Sequence, residues 1–191
     1  MTRRMVIMGP QGAGKGTQAA RISERLGVPA ISTGDIFRGN IARGTELGRA
    51  VQAFTARGEL VPDTVTNSMV RGRLGQPDAE VGFILDGYPR NAAQVAELDI
   101  ILADLGIGLD AVIQLTAERG ELMSRMRRRA ELEGRQDDTE EVIARRLDIY
   151  DAETAPLAEA YAARGLLVGV DGIGEVDEVA ARVMQALGGR V

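Results

Sequence analysis

Apolar residues in this chain fall into two kinds of pattern. Short continuous runs or alternations occur at residues 5–8, 28–32, 81–86, 111–116 and 166–171. Each is bounded by glycine, proline or polar residues, the signature of a short buried strand. Between these runs, apolar residues recur every three or four positions, as on one face of a helix. Such sets are Ala20, Ile22 and Leu26; Leu47, Ala50, Val51 and Phe54; Val65, Met69 and Leu74; Val95, Leu98, Ile101 and Leu105; and Val176, Val179, Val183 and Leu187. Gly27 and Gly58 are natural stops, Pro62 and Asp63 open a helix, and Asn91 can cap another. A further helix starts near Glu118, and after a polar break at 133–138 a long one runs to about Arg164, bent near Pro156. Strands alternating with helices predict a parallel sheet covered on both faces, with ligands at the carboxyl ends of its strands. Residues 32–61 are broken by Gly39, Gly44 and Gly48 and read as a small helical insertion.

Directly after the first strand comes GPQGAGKGTQ, with glycine at positions 9, 12, 14 and 16. A helix pattern follows at once. Strand, glycine loop and helix together make a phosphate-binding loop: bare N–H groups and the positive helix end face one anion. Lys15 adds a mobile charge for the outer phosphates. It is also the sole lysine among 23 basic residues, the rest being arginine. A compact ammonium suits a moving phosphate where the broad guanidinium fork does not.

Composition narrows the chemistry. The 191 residues suggest one domain, and 45% apolar content is enough for a packed core. A net charge of −5 argues against a general nucleic-acid binder. There is no cysteine, so neither disulfides nor thiolate zinc sites are expected, and no histidine, so imidazole takes no part. The apolar run at the start is interrupted too early for a signal peptide, and no run approaches the ~20 residues of a membrane span. The expectation is a soluble, cytoplasmic protein.

Phosphoryl transfer onto a second phosphate fits this set. A phosphate monoester with a second pKa of ~6 is already largely ionised at neutral pH, so no general base is needed. What is needed is positive charge to join two polyanions. Arg38, Arg90, Arg125, Arg129, Arg135 and Arg146 are the candidates, with Arg127, Arg128 and Arg145 read as solvated surface.

Four segments carry a specific resemblance: GPQGAGKGT at 9–17, STGDIFR at 32–38, FILDGYPRNAAQ at 83–94, and GRQDD at 134–138 followed by ARRL at 144–147. In them the chain resembles the adenylate kinase family of nucleoside monophosphate kinases, in its short-lid form, over essentially its whole length. The resemblance implies a three-layer α/β P-loop fold with a five-stranded parallel sheet and helices on both faces. Residues 1–191 would form a single kinase domain, with 32–61 as the nucleoside monophosphate-binding insertion and 128–138 as a short lid. It implies reversible phosphoryl transfer from ATP to AMP with magnesium, giving two ADP, by a monomer that engages no nucleic acid and no membrane.

By the same resemblance, Gly12, Ala13, Gly14, Lys15, Gly16 and Thr17 hold ATP phosphates, Arg125 and Arg129 approach from the lid side, and the Gly174 backbone meets the ATP adenine. Thr33, Arg38, the backbone of Glu59, Leu60 and Val61, then Gly87, Tyr88, Pro89, Arg90 and Gln94 form the AMP pocket. Arg135 and Arg146 reach across to the phosphates, making Lys15, Arg90, Arg129, Arg135 and Arg146 the catalytic set. No residue ligates metal directly; Asp86 orients magnesium through water. A cis Tyr88–Pro89 bond is expected. Two features depart from the family pattern: Gln11 stands where a small residue or proline is frequent, and five residues separate Arg129 from Arg135, too few for the zinc-bearing subdomain of the long form. The alternatives are a pyrimidine monophosphate kinase, against which Thr33 and Gln94 speak, and an inactive nucleotide-binding module, against which the retained arginines speak.

Overall fold

The structure, a computed structural model, describes residues 3–133 and 139–188. Five strands form one parallel sheet: β1 (Arg3–Met8), β2 (Ala30–Ser32), β3 (Gly82–Asp86), β4 (Ala111–Thr116) and β5 (Leu167–Asp171). Their spatial order is β2-β3-β1-β4-β5. The central strand is therefore the one that feeds the glycine loop. Register pairs Ile7 with Asp86 on one side and with Ile113 on the other.

The strand run 5–8 is buried on both faces, as its unbroken apolar character requires. Met5 and Ile7 point into one core, with Ile22, Met126, Leu147 and Val183. Val6 and Met8 point into the other, with Leu74, Leu98, Ile101 and Tyr161. The two cores are supplied by helices on opposite faces. On the first lie α1 (Lys15–Leu26), α6 (Arg119–Glu133), α7 (Glu140–Ile149) and α9 (Val176–Leu187). On the second lie α4 (Asp63–Leu74), α5 (Ala92–Asp104) and α8 (Leu157–Ala163). Helices α2 (Thr33–Ala42) and α3 (Glu46–Ala56) stand apart on a small core of their own, built from Phe37, Val51 and Val61.

Several details differ from the sequence reading. β2 begins at Ala30 and not at Val28, because Pro29 has no N–H for the ladder. In α1 the buried residues are Gln18, Ala19 and Ile22, whereas Ala20 is exposed. In α4 they are Thr66, Val70 and Leu74, with Val65 and Met69 at the margin of the insertion's core. In α5 Leu102 is buried, and Leu105, just past the helix end, is exposed. The long helix expected up to Arg164 is two helices joined by a wide π-turn, Tyr150–Thr154, closed by the Ala155 N–H donating to the Tyr150 carbonyl at 2.8 Å. Pro156 follows that turn and cannot donate to the preceding one. Asn91 caps α5, accepting from the Gln94 N–H at 2.8 Å, and the Tyr88–Pro89 bond is cis.

Candidate active site

The carboxyl ends of β1, β2 and β3 open into a cleft of 770 Å³. Its floor is the loop after β1. Gly14 there adopts φ +91° and caps α1, a conformation that L side chains rarely take. A Cβ at Gly12 would lie 2.9 Å from the Leu122 carbonyl oxygen, so the loop seats directly on α6. Helix α1 therefore begins at Lys15, with the N–H groups of Lys15, Gly16 and Thr17 in its first turn, where they have no intrahelical acceptor.

Lys15 is half-buried, and its Nζ donates to the Pro10 carbonyl at 2.9 Å. Burial lowers its pKa to about 8; the neighbouring Asp86 carboxylate opposes this, and the Arg90 and Arg129 charges add to it. Asp86 ends β3, and burial pushes its carboxyl up against the pull of Lys15 and Arg90. Arg90 is held at three points. Its Nε donates to the Gly87 carbonyl at 2.8 Å, its backbone N–H to Gln94 Oε1 at 2.8 Å, and its carbonyl accepts from the Thr154 hydroxyl at 2.7 Å. Burial lowers the Arg90 pKa, with Arg146 and Arg38 contributing in the same direction. Lys15, Arg38, Arg90, Arg129 and Arg146 all line this cleft. Arg38 also pairs with Asp35 at 2.5 Å, and Arg146 donates to the Thr55 carbonyl at 3.2 Å.

The other expected residues divide into groups. Thr33, Glu59, Leu60, Val61, Gly87 and Gln94 line the same cleft. Within it, the Glu59 side chain is tied to Arg57 at 2.8 Å and to Arg145 at 2.7 Å. Tyr88 and Pro89 line a small adjoining space, and the Tyr88 phenol sits in the core, donating to Asn67 Oδ1 at 2.8 Å. Arg125 lies beyond the loop, paired with Glu121 at 2.6 Å and donating to the Gly172 carbonyl at 2.9 Å. Gly174, at φ +122°, is exposed in the loop between β5 and α9. Arg135, and with it part of the 128–138 segment, lies outside the described residues.

Some cleft residues were not singled out from the sequence. Phe37, Ile41 and Thr55 form the wall contributed by α2 and α3. Gln11, noted only as a departure, lines the floor beside Lys15. Asp63 and Thr154 were missed as neighbours of the site; Asn91 and Gln94 at N-cap and N3 spacing were the only local signal, that of a capping box.

A glycine loop at the carboxyl edge of a parallel sheet, facing several half-buried cations and no imidazole, is the equipment of the P-loop phosphotransferases. The adenylate kinase family profile matches residues 7–166. The chain is 62% identical to an adenylate kinase of Kocuria rhizophila over 184 residues, 96% of this chain and 98% of that protein. It is 56% identical to one of Bifidobacterium longum, over 96% and 99% of the two chains, and 51% identical to one of Thermobifida fusca, over 98% and 99%. The chain belongs to the adenylate kinase family and is a phosphotransferase enzyme.

Proposed function

We propose that the protein transfers the terminal phosphoryl group of ATP to AMP, reversibly, giving two ADP. The observation that carries this reading is the convergence of Lys15, Arg90, Arg129 and Arg146 on one cleft, beside a wall that holds Thr33 and Gln94. In this reading the loop amides from Gly12 to Thr17 cradle the ATP phosphates. Lys15 leaves the Pro10 carbonyl and follows the transferring group, compensating charge in a water-poor site. Arg125 and the Gly174 backbone lie on the ATP side. Arg38, Arg90 and Arg146 hold the acceptor phosphate, which needs no general base because it is already ionised. Arg135 joins them from the lid.

The reaction requires magnesium with ATP, and the residues present fit it. Asp86 is a single carboxylate at the mouth of the loop, close to Gly16, and Thr17 follows, exposed in the first turn of α1. Among the described residues there is no group of three or more carboxylate, histidine or cysteine side chains that would hold a cation outright. One carboxylate with water and phosphate ligands suits magnesium, which gives up its hydration reluctantly. When bound, the ion neutralises charge on the phosphates.

Residues 32–61 and 128–138 are proposed to act as two flaps that exclude water, since an open site would hydrolyse ATP. The separate small core of α2 and α3 supports independent movement of the first. The protein is proposed to work as a monomer on free nucleotides, without nucleic acid. Among the described residues no helix is long and apolar enough to cross a membrane. The absence of cysteine fits a cytoplasmic setting. A coupled assay with ATP and each of AMP, CMP, UMP and GMP tests the assignment. Strong preference for AMP is expected; equal use of AMP and CMP would show that the base pocket is wrongly placed.

A further inference from the structure

We propose that Asp63 is a positioning residue that fixes the Gln94 carboxamide in the one orientation that reads a 6-aminopurine, and so sets AMP against 6-oxopurine monophosphates. The inference rests on the reading of Gln94 as a base contact. Gln94 is 2% exposed and lines the cleft. Its Nε2 donates to Asp63 Oδ1 at 2.6 Å, and its Oε1 accepts from the Arg90 N–H at 2.8 Å. Asn91 braces the pair: its Nδ2 donates to both Asp63 oxygens at 3.2 Å, and its Oδ1 accepts from the Gln94 N–H at 2.8 Å.

The two partners of the amide differ in kind. A carboxylate only accepts hydrogen bonds, and a backbone N–H only donates. Turning the amide over would set its NH2 against the Arg90 N–H and its oxygen against the Asp63 carboxylate. Both contacts would be repulsive in a buried place, where unmatched polar groups are costly. The amide is therefore locked, and it retains one N–H and one lone pair in a fixed order. Adenine offers an acceptor at N1 beside a donor amino group. A 6-oxopurine offers a donor at N1–H beside an acceptor oxygen, the reverse order. An unlocked amide would satisfy either base by rotating half a turn. Thr33 points to the same choice. Its hydroxyl donates to the Gly87 carbonyl at 3.1 Å, so what it retains for a ligand is acceptor capacity, suited to an amino group.

The test uses the full chain and its Asp63→Ala and Asp63→Asn variants. The assay measures kcat and KM for AMP and for IMP at saturating ATP, with the thermal transition as a check on folding. Wild type should favour AMP strongly. Asp63→Ala should lower the AMP-to-IMP ratio of kcat/KM by roughly tenfold, mainly through a raised KM for AMP, with the KM for ATP little changed. Asp63→Asn is nearly isosteric, can turn either face to Gln94, and should fall between; it carries the test if the alanine variant does not fold. A ratio unchanged in the folded variants, or AMP and IMP losing efficiency in parallel, would overturn the positioning role while leaving the phosphotransfer reading intact. A wild type that does not use AMP would overturn both.

Discussion

Replacing Lys15 with methionine should make the nucleotide-free protein more stable while removing most of its activity. The ammonium sits at the loop mouth with its pKa lowered from 10.5 to about 8, chiefly by burial. That gap of about 2.5 pH units corresponds to an upper bound of about 3 kcal/mol against the charged form, at ~1.36 kcal/mol per unit. Methionine also forfeits the hydrogen bond to the Pro10 carbonyl, worth about 1 kcal/mol, so the net gain should be about 1–2 kcal/mol. In a domain of this size that raises Tm by about 2–8 °C. The pH dependence follows from the sign of the shift. Below about pH 8 the lysine is charged in both folded and unfolded chains, and the full penalty applies. Between about 8 and 10.5 the folded protein has released the proton and the unfolded chain has not, so the penalty shrinks as pH rises. The Tm difference between variant and wild type should therefore be largest at pH 7 and close towards pH 10.5. Turnover in the coupled assay should fall by about 10²–10³-fold, the loss expected for one preorganised positive group. A variant that melts below wild type at pH 7, or a difference independent of pH, would show that the ammonium is not desolvated. Wild-type turnover would remove Lys15 from the transferring phosphate.

Gln94→Ala should raise the KM for AMP by about 10–100-fold and leave that for ATP nearly unchanged; equal effects on both would move Gln94 out of the base pocket. Gly48→Ala would place a Cβ 2.2 Å from the Asn40 carbonyl oxygen where α2 and α3 cross, and should cost about 1–3 kcal/mol by thermal or denaturant melting. Gly72→Ala, in the last turn of α4 with nothing outside its own helix backbone within 4 Å of the added Cβ, should instead stabilise by about 0.4–1 kcal/mol; the two outcomes reversed would refute the packing at these two positions. Removing magnesium with a chelator should abolish activity until it is restored, while metal analysis finds no stoichiometric zinc. A bisubstrate analogue should protect residues 32–61 and 128–138 from limited proteolysis; protection of neither would exclude the two flaps.

Much of the molecule follows from local signals. A run of four apolar residues leading into closely spaced glycines and a lysine can form little else than a buried strand and an anion loop. The five strands fell within two residues of their expected starts, because each is bounded by glycine, proline or charge. The arginines of the cleft were legible through motif resemblance, and the short helices α2 and α3 through their broken helical pattern.

Other features depend on packing, which no local pattern encodes. Because α4 leads into β3, α5 leaves it and both pack on one face of the sheet, the start of α4 comes beside the start of α5, and Asp63 meets Gln94 across thirty-one positions of sequence. The four-residue spacing of Arg90 and Gln94 suggests one turn of a common helix. Arg90 in fact precedes the helix, and Gln94 reaches back to its N–H from the third position of α5. Thr154, in the wide turn between α7 and α8, reaches the Arg90 carbonyl sixty-four positions earlier in the chain. The lowered pKa of Lys15 likewise has no sequence signature. It arises from how much protein surrounds the ammonium and from which charges, distant in the chain, face it across the cleft. Local pattern supplied the glycine loop and the cationic residues near it; burial and partners distant in the chain set how Lys15 is charged and how Gln94 is held, because both depend on packing that no short stretch of sequence contains.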